Sequence, residues 1–348
     1  MRQTLLRFVP AWWTCELQTN PAQLGAGFLL LAWIAYGGYW VFRNHRAGDA
    51  QQRNLGAPVV WLLIAGLIGW VPRQMEGGVP VYGYGFMMFL GFVCGGWWAT
   101  VRARSVGIRP EAIWDAGLWI FFGGVTGARL FYLVQYRERV FANQQGIDLI
   151  KAAVNLSDGG LVFYGGMVLG AVAYWIYCRR SGMNPLLLGD VAMPSVFLGM
   201  AFGRFGCLLN GCCFGDRCEL PWAIQFPRNS VPFNVLVNRG FLDPQAIHSL
   251  PLHPTQIYSS INALILAAIT AAYFRSRPRN GAVLAVGFIA YPISRLVIEL
   301  LRGDEMGQFG TSLTIAQWFS LGVSLCSLVY LCVLLRSTDP SDTRPSSA

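Results

Sequence analysis

Three arginines lie within long apolar segments of the chain rather than in its loops. They are Arg129, Arg204 and Arg295, and the first two have glycines close by. An ionised side chain at membrane depth is costly, so it normally faces a partner or a water-filled cavity. The planar guanidinium fork suits phosphate, and a lipid phosphate is the anion available at that depth. The three arginines therefore predict either a shared anionic ligand or a network of ion pairs.

The segment around Arg204 is rich in small residues. Gly203 and Gly206 remove side-chain bulk, which lets another helix or a lipid headgroup approach the guanidinium closely. Asn210 and a group of cysteines follow. The alternative interpretation is a glycine motif for helix packing, with an arginine whose long side chain reaches up to the membrane interface.

The other two arginines also have purely structural interpretations. Glu299 follows Arg295 by four residues, so the two side chains share a helix face and can form an ion pair. Arg129 could pair with Asp158 or Asp190 instead of binding a ligand. The sequence leaves these alternatives open.

Two tyrosines and one histidine complete the set of candidate residues. Tyr84 and Tyr164 each have glycines nearby on both sides. An isolated tyrosine in a membrane span is usually an interfacial anchor, but the glycines favour hydroxyl groups exposed to a bound molecule. His253 precedes Pro254 at the start of a predicted helix, where we expect it to cap the helix or to face a cleft.

Four cysteines follow Arg204 in the spacing C-x4-C-C-x4-C: Cys207, Cys212, Cys213 and Cys218. This spacing matches none of the common paired patterns of zinc knuckles, so we expect no metal and no cofactor. A disulfide in this loop, for instance with Cys218, would suit an oxidising compartment. The spacing does not decide whether the thiols are reduced, bridged or metallated.

The composition is typical of a membrane protein. Of the 348 residues 54% are hydrophobic and only 12% are charged, against roughly 25% charged residues in soluble proteins. The net charge of +9 could indicate a nucleic-acid partner. The basic residues, however, lie in short loops between apolar segments and form no single patch. They therefore favour orientation of the chain in a membrane over nucleic-acid binding.

Nine segments are apolar and long enough to cross a bilayer, which takes about 20 residues. We therefore predict an all-α, polytopic bundle of about nine transmembrane helices. Short basic loops follow every second span, beginning with the first, which predicts a cytoplasmic C-terminus and longer loops on the outside. The predicted spans are 22–42, 55–71, 79–101, 111–134, 159–178, 186–209, 254–274, 281–301 and 312–335.

These motifs resemble the bacterial prolipoprotein diacylglyceryl transferase family from about Val79 to Leu335. The resemblance implies a seven-helix transferase core (79–335) that follows an N-terminal extension with two helices (1–78). The polar composition of residues 336–348 predicts a disordered cytoplasmic tail. The resemblance rests on five blocks in family order, which are residues 84–92, residues 158–166, the signature from Gly203 to Gly215, residues 253–258, and Arg295 with Glu299.

The resemblance implies an activity. The family moves the diacylglyceryl group of phosphatidylglycerol onto the thiol of the lipobox cysteine in preprolipoprotein signal peptides, and it releases glycerol 1-phosphate. Such a transferase would lie in the bacterial inner membrane among membrane lipids, with its site opening toward the outer leaflet. Two alternatives remain, a polytopic transporter or channel for an anionic substrate and a catalytically silent homologue.

Residue roles follow from the same resemblance. Arg204 and Arg295 would grip and activate the phosphoglycerol, and Tyr84 and Tyr164 are the further catalytic candidates. The expected substrate-binding residues, besides Arg204, are Asn210, Gly215, His253, Arg129 and Glu299. The chain departs from the family pattern at Tyr164, which stands where a histidine base is proposed, and at Cys207 and Cys212.

Overall fold

The computed structural model describes residues 4–10, 15–16, 21–46, 56–74, 78–141, 146, 152–154, 160–302 and 315–336. The chain is 71% helical, which agrees with the predicted class of fold. The long helices are α1 (Ala26–Arg46), α2 (Gly56–Gln74), α3 (Gly83–Arg104), α4 (Pro110–Gln135), α6 (Phe163–Ser181), α7 (Pro185–Asn210), α9 (Thr255–Ser276), α10 (Ala282–Glu299) and α11 (Ile315–Arg336), and the short ones are α5 (Arg137–Phe141) and α8 (Val231–Asn238).

A helix lies at each of the nine predicted spans. Within the described residues, five helices are long and apolar enough to cross a membrane, as a multi-pass membrane protein requires. These five are α3, α4, α7, α9 and α10. Five of the nine predicted spans therefore meet this criterion, and the other four stay predictions. Of the predicted tail (336–348), only Arg336 is among the described residues.

The all-helical prediction omitted a small four-stranded sheet. Its strands are β1 (Thr4–Val9), β2 (Cys15–Glu16), β3 (Ala22–Gly25) and β4 (Val79–Tyr82), in the order β2-β3-β1-β4. The inner strand β1 pairs in parallel with β3, the other inner strand, and antiparallel with β4. Strands β3 and β4 occupy the first residues of two segments that we predicted to be helical throughout.

The described chain forms two compact units. The first contains residues 1–89 and 203–256, and the second contains residues 90–202 and 257–348. In the first unit, Phe214, Phe226, Leu236 and Leu252 form a small buried core beneath the segment that follows α7. Leu208 of α7 packs against this core, which therefore contacts the chain both before and after Cys212 and Cys213.

In the second unit, helices α4 and α6 pack closely through glycines. A side chain at Gly127 would begin 2.3 Å from the carbonyl oxygen of Gly165, so the contact tolerates nothing larger than hydrogen. The fully buried side chains of Leu188, Val191 and Phe197 lie in the main core of this unit. Small residues therefore set the spacing of α4 and α6, and large ones fill the core.

Two buried charged residues of the second unit have structural partners. The Asp190 carboxylate accepts hydrogen bonds from the backbone N–H groups of Gly281 (2.8 Å) and Leu284 (2.9 Å), at the N-terminus of α10. It also pairs with Arg277 at 3.7 Å. Arg102, just beyond the predicted span 79–101, is buried in the last turn of α3 and donates to the carbonyl oxygen of Val191. These contacts anchor helix ends.

Candidate functional site

Arg204 lies in the last two turns of α7 and is partly buried. Among the residues that the structure describes, no carboxylate forms an ion pair with it. Its electrostatic neighbour is Tyr84, in the first turn of α3, whose side chain is 43% exposed. A guanidinium without a carboxylate partner, beside an accessible phenol, is suited to binding an anion.

Gly206 permits the close approach of α3 to this end of α7. A Cβ atom at Gly206 would lie 3.1 Å from a ring carbon of Tyr84 and 3.3 Å from the backbone of Tyr84. These distances are shorter than ordinary van der Waals contacts. The glycine therefore positions Tyr84 beside Arg204, as the small residues of this segment led us to expect.

Helix α7 ends in a Schellman motif. Gly211 has a φ of +73°, the N–H of Cys212 bonds to the carbonyl oxygen of Cys207, and the N–H of Gly211 bonds to that of Leu208. This motif commonly brings together the side chains at the two positions that Cys207 and Cys212 occupy. The turn therefore places one cysteine against the other.

A third thiol joins this pair. Cys213 has a φ of +59°, a left-handed conformation that is uncommon for a residue with a side chain. The sulfur atoms of Cys207, Cys212 and Cys213 all lie within 4.8 Å of one another. We call these three residues the thiol cluster. Tyr84 interacts electrostatically with all three thiols.

Asn210 and Cys212 are in contact at the end of the helix. Asn210 is the last residue of α7, and its side chain interacts with the Cys212 thiol. The hydrogen bond with Cys207 lowers the pKa of Cys212, but the hydrogen bond with Cys213 and burial raise it more. The net pKa of this thiol lies above that of an ordinary cysteine.

Gly215 and His253 are joined through the backbone. The N–H of Gly215 donates to the carbonyl oxygen of His253 (3.0 Å), and the N–H of His253 donates to that of Asp216 (2.9 Å). The same carbonyl oxygen of His253 accepts from the N–H of Thr255, in the first turn of α9. These bonds fix the segment after the thiol cluster to the start of α9.

Arg295 and Glu299 form the ion pair that their spacing allows. The guanidinium and the carboxylate are 2.6 Å apart in the second unit, and their side chains are 14% and 1% exposed. Since both groups are largely removed from water, each depends on the other for compensation of its charge. The structure thus supports the ion-pair interpretation of Arg295.

Arg129 contacts backbone carbonyl groups. Its guanidinium donates to the carbonyl oxygens of Ala152 (2.7 Å), Ala153 (2.9 Å) and Gly160 (3.1 Å). Of its two candidate carboxylate partners, Asp190 is engaged elsewhere and Asp158 lies outside the described residues. The three donors hold the chain before α6 in place.

Tyr164 is the second residue of α6, and its side chain is 52% exposed. The ring meets that of Phe163 edge to face, with the centroids 5.9 Å apart. Gly165, the next residue, packs against α4. The position of Tyr164 suits a residue that touches a ligand or an interface rather than one that fills the core.

Sequence reasoning missed two buried residues that support the cysteine segment. Thr255 donates from its hydroxyl to the carbonyl oxygen of Cys213, and Gln256 donates from its amide nitrogen to that of Cys212, both at 2.8 Å. Each is 1% exposed. The only sequence signal was their place in the block that begins at His253.

The comparisons with known proteins agree with the motifs. A family model described as prolipoprotein diacylglyceryl transferase matches residues 72–333. A phosphatidylglycerol–prolipoprotein diacylglyceryl transferase of Rhodopirellula baltica is 31% identical and aligns with 90% of this chain and 85% of its own length. One of Clostridium tetani is 33% identical over 70% of this chain and 89% of its own. The chain therefore belongs to the prolipoprotein diacylglyceryl transferase family.

Proposed function

We propose that this protein transfers the diacylglyceryl group of phosphatidylglycerol to the lipobox cysteine of preprolipoproteins. The reaction forms a thioether and releases glycerol 1-phosphate. Membership of the family supports the proposal, and so do the names of relatives that state both substrates. The observation that carries it is Arg204, a partly buried guanidinium beside Tyr84 with no carboxylate partner in the described chain.

The reaction makes two demands on the site. A thiolate must displace phosphate from a glycerol carbon, and negative charge grows on the departing phosphate. A free thiol has a pKa near 8.5, so its deprotonation at pH 7 costs only about 2 kcal/mol. Stabilisation of the phosphate is therefore the larger demand, and Arg204 meets it with bidentate hydrogen bonds.

The remaining proposed catalytic residues have subordinate roles. Arg295 adds positive charge that stabilises the phosphoglycerol, and Glu299 stays paired with it and holds the guanidinium in position. Tyr84 donates its hydroxyl to the headgroup that Arg204 binds. Tyr164 orients the lipid or relays a proton, because a neutral phenol is a poor base.

The other proposed substrate-binding residues position the segments that carry the site, through hydrogen bonds to the backbone. Asn210 closes the helix that carries Arg204, and the bonded pair Gly215 and His253 fixes the segment that follows. Arg129 acts on the substrate indirectly, since its donors hold the carbonyl groups that precede the helix of Tyr164.

We also propose an orientation in the membrane. Nine helices span the inner membrane of a bacterium, with the C-terminus in the cytoplasm and the site open toward the outer leaflet. The alternation of short basic loops with longer, sparsely basic ones supports this topology. Residues 1–78 are an N-terminal extension of a seven-helix core at 79–335, which ends in a cytoplasmic tail.

A transfer assay tests the proposed function. Membranes that contain the protein are incubated with phosphatidylglycerol labelled in its acyl chains and with a lipobox peptide. We expect label on the peptide in a thioether bond, together with released glycerol 1-phosphate. A peptide with serine in place of the cysteine should stay unlabelled. A protein that binds or moves phosphatidylglycerol but labels no peptide is a transporter or a silent homologue, and the proposal is then wrong.

A further inference from the structure

The thiol cluster has the geometry of an incomplete metal site. Zinc binds thiolate sulfur at about 2.3 Å, so tetrahedral ligands lie roughly 3.8 Å apart. The three sulfur atoms already lie within 4.8 Å of one another, and small side-chain rotations close the remaining gap. A disulfide needs two sulfurs at about 2.05 Å and would leave the third thiol unused.

The backbone is arranged to hold all three thiols. The Schellman motif brings Cys207 and Cys212 together, and the left-handed conformation of Cys213 adds the third. Such a conformation costs about 1 kcal/mol or more and persists only where the surroundings enforce it. Here the buried side chains of Thr255 and Gln256 hold the carbonyl groups of Cys213 and Cys212.

The nearby charge favours a divalent ion. Three thiolates with Zn²⁺ carry a net charge of −1. Arg204 precedes Cys207 by three residues on the same helix, so the two side chains share a face, and both interact with Tyr84. The Arg204 guanidinium therefore compensates the net charge of −1. With a monovalent metal the net charge would be −2, twice what one guanidinium compensates.

Three protein ligands leave a tetrahedral ion with one open position. Zinc sites of this kind are typical of catalysis, in which substrate or water occupies the fourth place. A thiol that coordinates zinc is deprotonated outright. The proposed function supplies such a thiol, and the chain has Tyr164 where its relatives are expected to have a histidine base.

We propose that Cys207, Cys212 and Cys213 bind one zinc ion whose fourth position accepts the thiol of the substrate cysteine. The assignment rests on the proposed function, because only a thiol substrate gives the open position a role. Zinc binding releases the protons of the three thiols, and the incoming substrate thiol gives its own proton to solvent. Its sulfur then bonds to the glycerol carbon as the carbon–oxygen bond breaks, and the electron pair leaves with the phosphate.

Metal analysis of the full-length protein in detergent tests the site. The protein is purified without metal-chelate resin, equilibrated with zinc and dialysed. We expect about one zinc per chain, and an affinity at least 10-fold lower in the variants Cys207→Ser, Cys212→Ser and Cys213→Ser. Cys218→Ser is the matched control, because Cys218 lies in the same segment outside the thiol cluster, and it should retain the metal. Wild-type protein that binds no zinc, or a Cys212→Ser variant that binds as tightly as wild type, overturns the assignment.

Cobalt substitution tests the open position without depending on activity or on variants that fold poorly. Wild-type protein loaded with Co²⁺ should show thiolate-to-metal charge-transfer absorption, and a lipobox peptide should change this spectrum. The peptide with serine at the cysteine position should not. If the cysteine peptide leaves the cobalt spectrum unchanged, the proposed role of the open position is wrong.

Activity separates this inference from the proposed function. Zinc-stripped protein that transfers at the full rate overturns the role of the metal and leaves the proposed function standing. Zinc-loaded protein that binds the peptide thiol but transfers nothing overturns the proposed function and leaves the metal site standing.

Discussion

Replacing Arg295 alone should destabilise the protein far more than replacing Arg295 and Glu299 together. The two charges are 2.6 Å apart with side chains 14% and 1% exposed. At an effective dielectric constant of 20, their attraction is about 6 kcal/mol. Arg295→Gln abolishes this attraction and leaves the Glu299 carboxylate buried. We therefore expect a loss of about 3–5 kcal/mol in the free energy of unfolding.

The double variant Arg295→Gln/Glu299→Gln removes both buried charges and should recover most of this loss. Unfolding of the purified variants in detergent measures the double-mutant cycle. Arg137 and Glu138 provide a matched control, because this pair is 3.8 Å apart with side chains 75% and 90% exposed. Its coupling should be about 0–1 kcal/mol. A double variant as unstable as the sum of its single variants would refute the reasoning.

The double variant also separates folding from chemistry. A single Arg295 variant loses activity if it unfolds, so its inactivity says nothing about catalysis. If the double variant folds and transfers less than a hundredth of the wild-type amount, Arg295 takes part in the reaction as proposed. Full transfer by the folded double variant assigns the pair a structural role alone.

Two other substitutions test packing and capping contacts, one in each unit. Gly206→Ala should lower the transfer rate, because the new Cβ would lie 3.1 Å from Tyr84. Gly85→Ala is the control and should leave the rate unchanged, because no atom lies within 4 Å of its Cβ. Equal rates of the two variants in the transfer assay would contradict this reasoning. Asp190→Ala should lower the free energy of unfolding by about 2–5 kcal/mol, because it strands two backbone N–H groups at the start of α10. An unfolding midpoint within experimental error of wild type would show that water replaces the carboxylate.

The local features of the fold could be predicted from the sequence. Apolar segments of about 20 residues marked the nine long helices of the described residues, and the family predicted from five motifs is confirmed by the comparisons. The spacing of Arg295 and Glu299 predicted an ion pair, which the structure contains. Each of these signals lies within one segment, where the period of the helix relates sequence to space.

The sheet could not be predicted in the same way. Strands β3 and β4 adjoin apolar helices, and apart from Gln23 their residues extend the apolar segments. Their partner β1 lies at residues 4–9, far from residues 79–82 in the chain. Pairing over such a separation leaves no local period, so the four residues before each helix were interpreted as helical.

The thiol cluster was missed because we judged the cysteines by their spacing. Paired knuckles are one way to gather thiols, and the end of a helix is another. The signal was Gly211, a residue that favours the left-handed turn and so folds Cys212 back onto Cys207. The contacts of Arg129 could not be predicted for a related reason, since its guanidinium donates to backbone carbonyl groups that no residue pattern marks.

The central claim is that Arg204 binds and activates the phosphate of the lipid. The most direct measurement is the rate of diacylglyceryl transfer by Arg204→Ala, with Arg228→Ala as an exposed arginine control in the same unit. Loss of a preorganised charged donor should lower the rate by about 100-fold or more. Tyr164→Phe should lower it less, and Arg228→Ala should leave it unchanged. Transfer by Arg204→Ala within about threefold of wild type would contradict the claim.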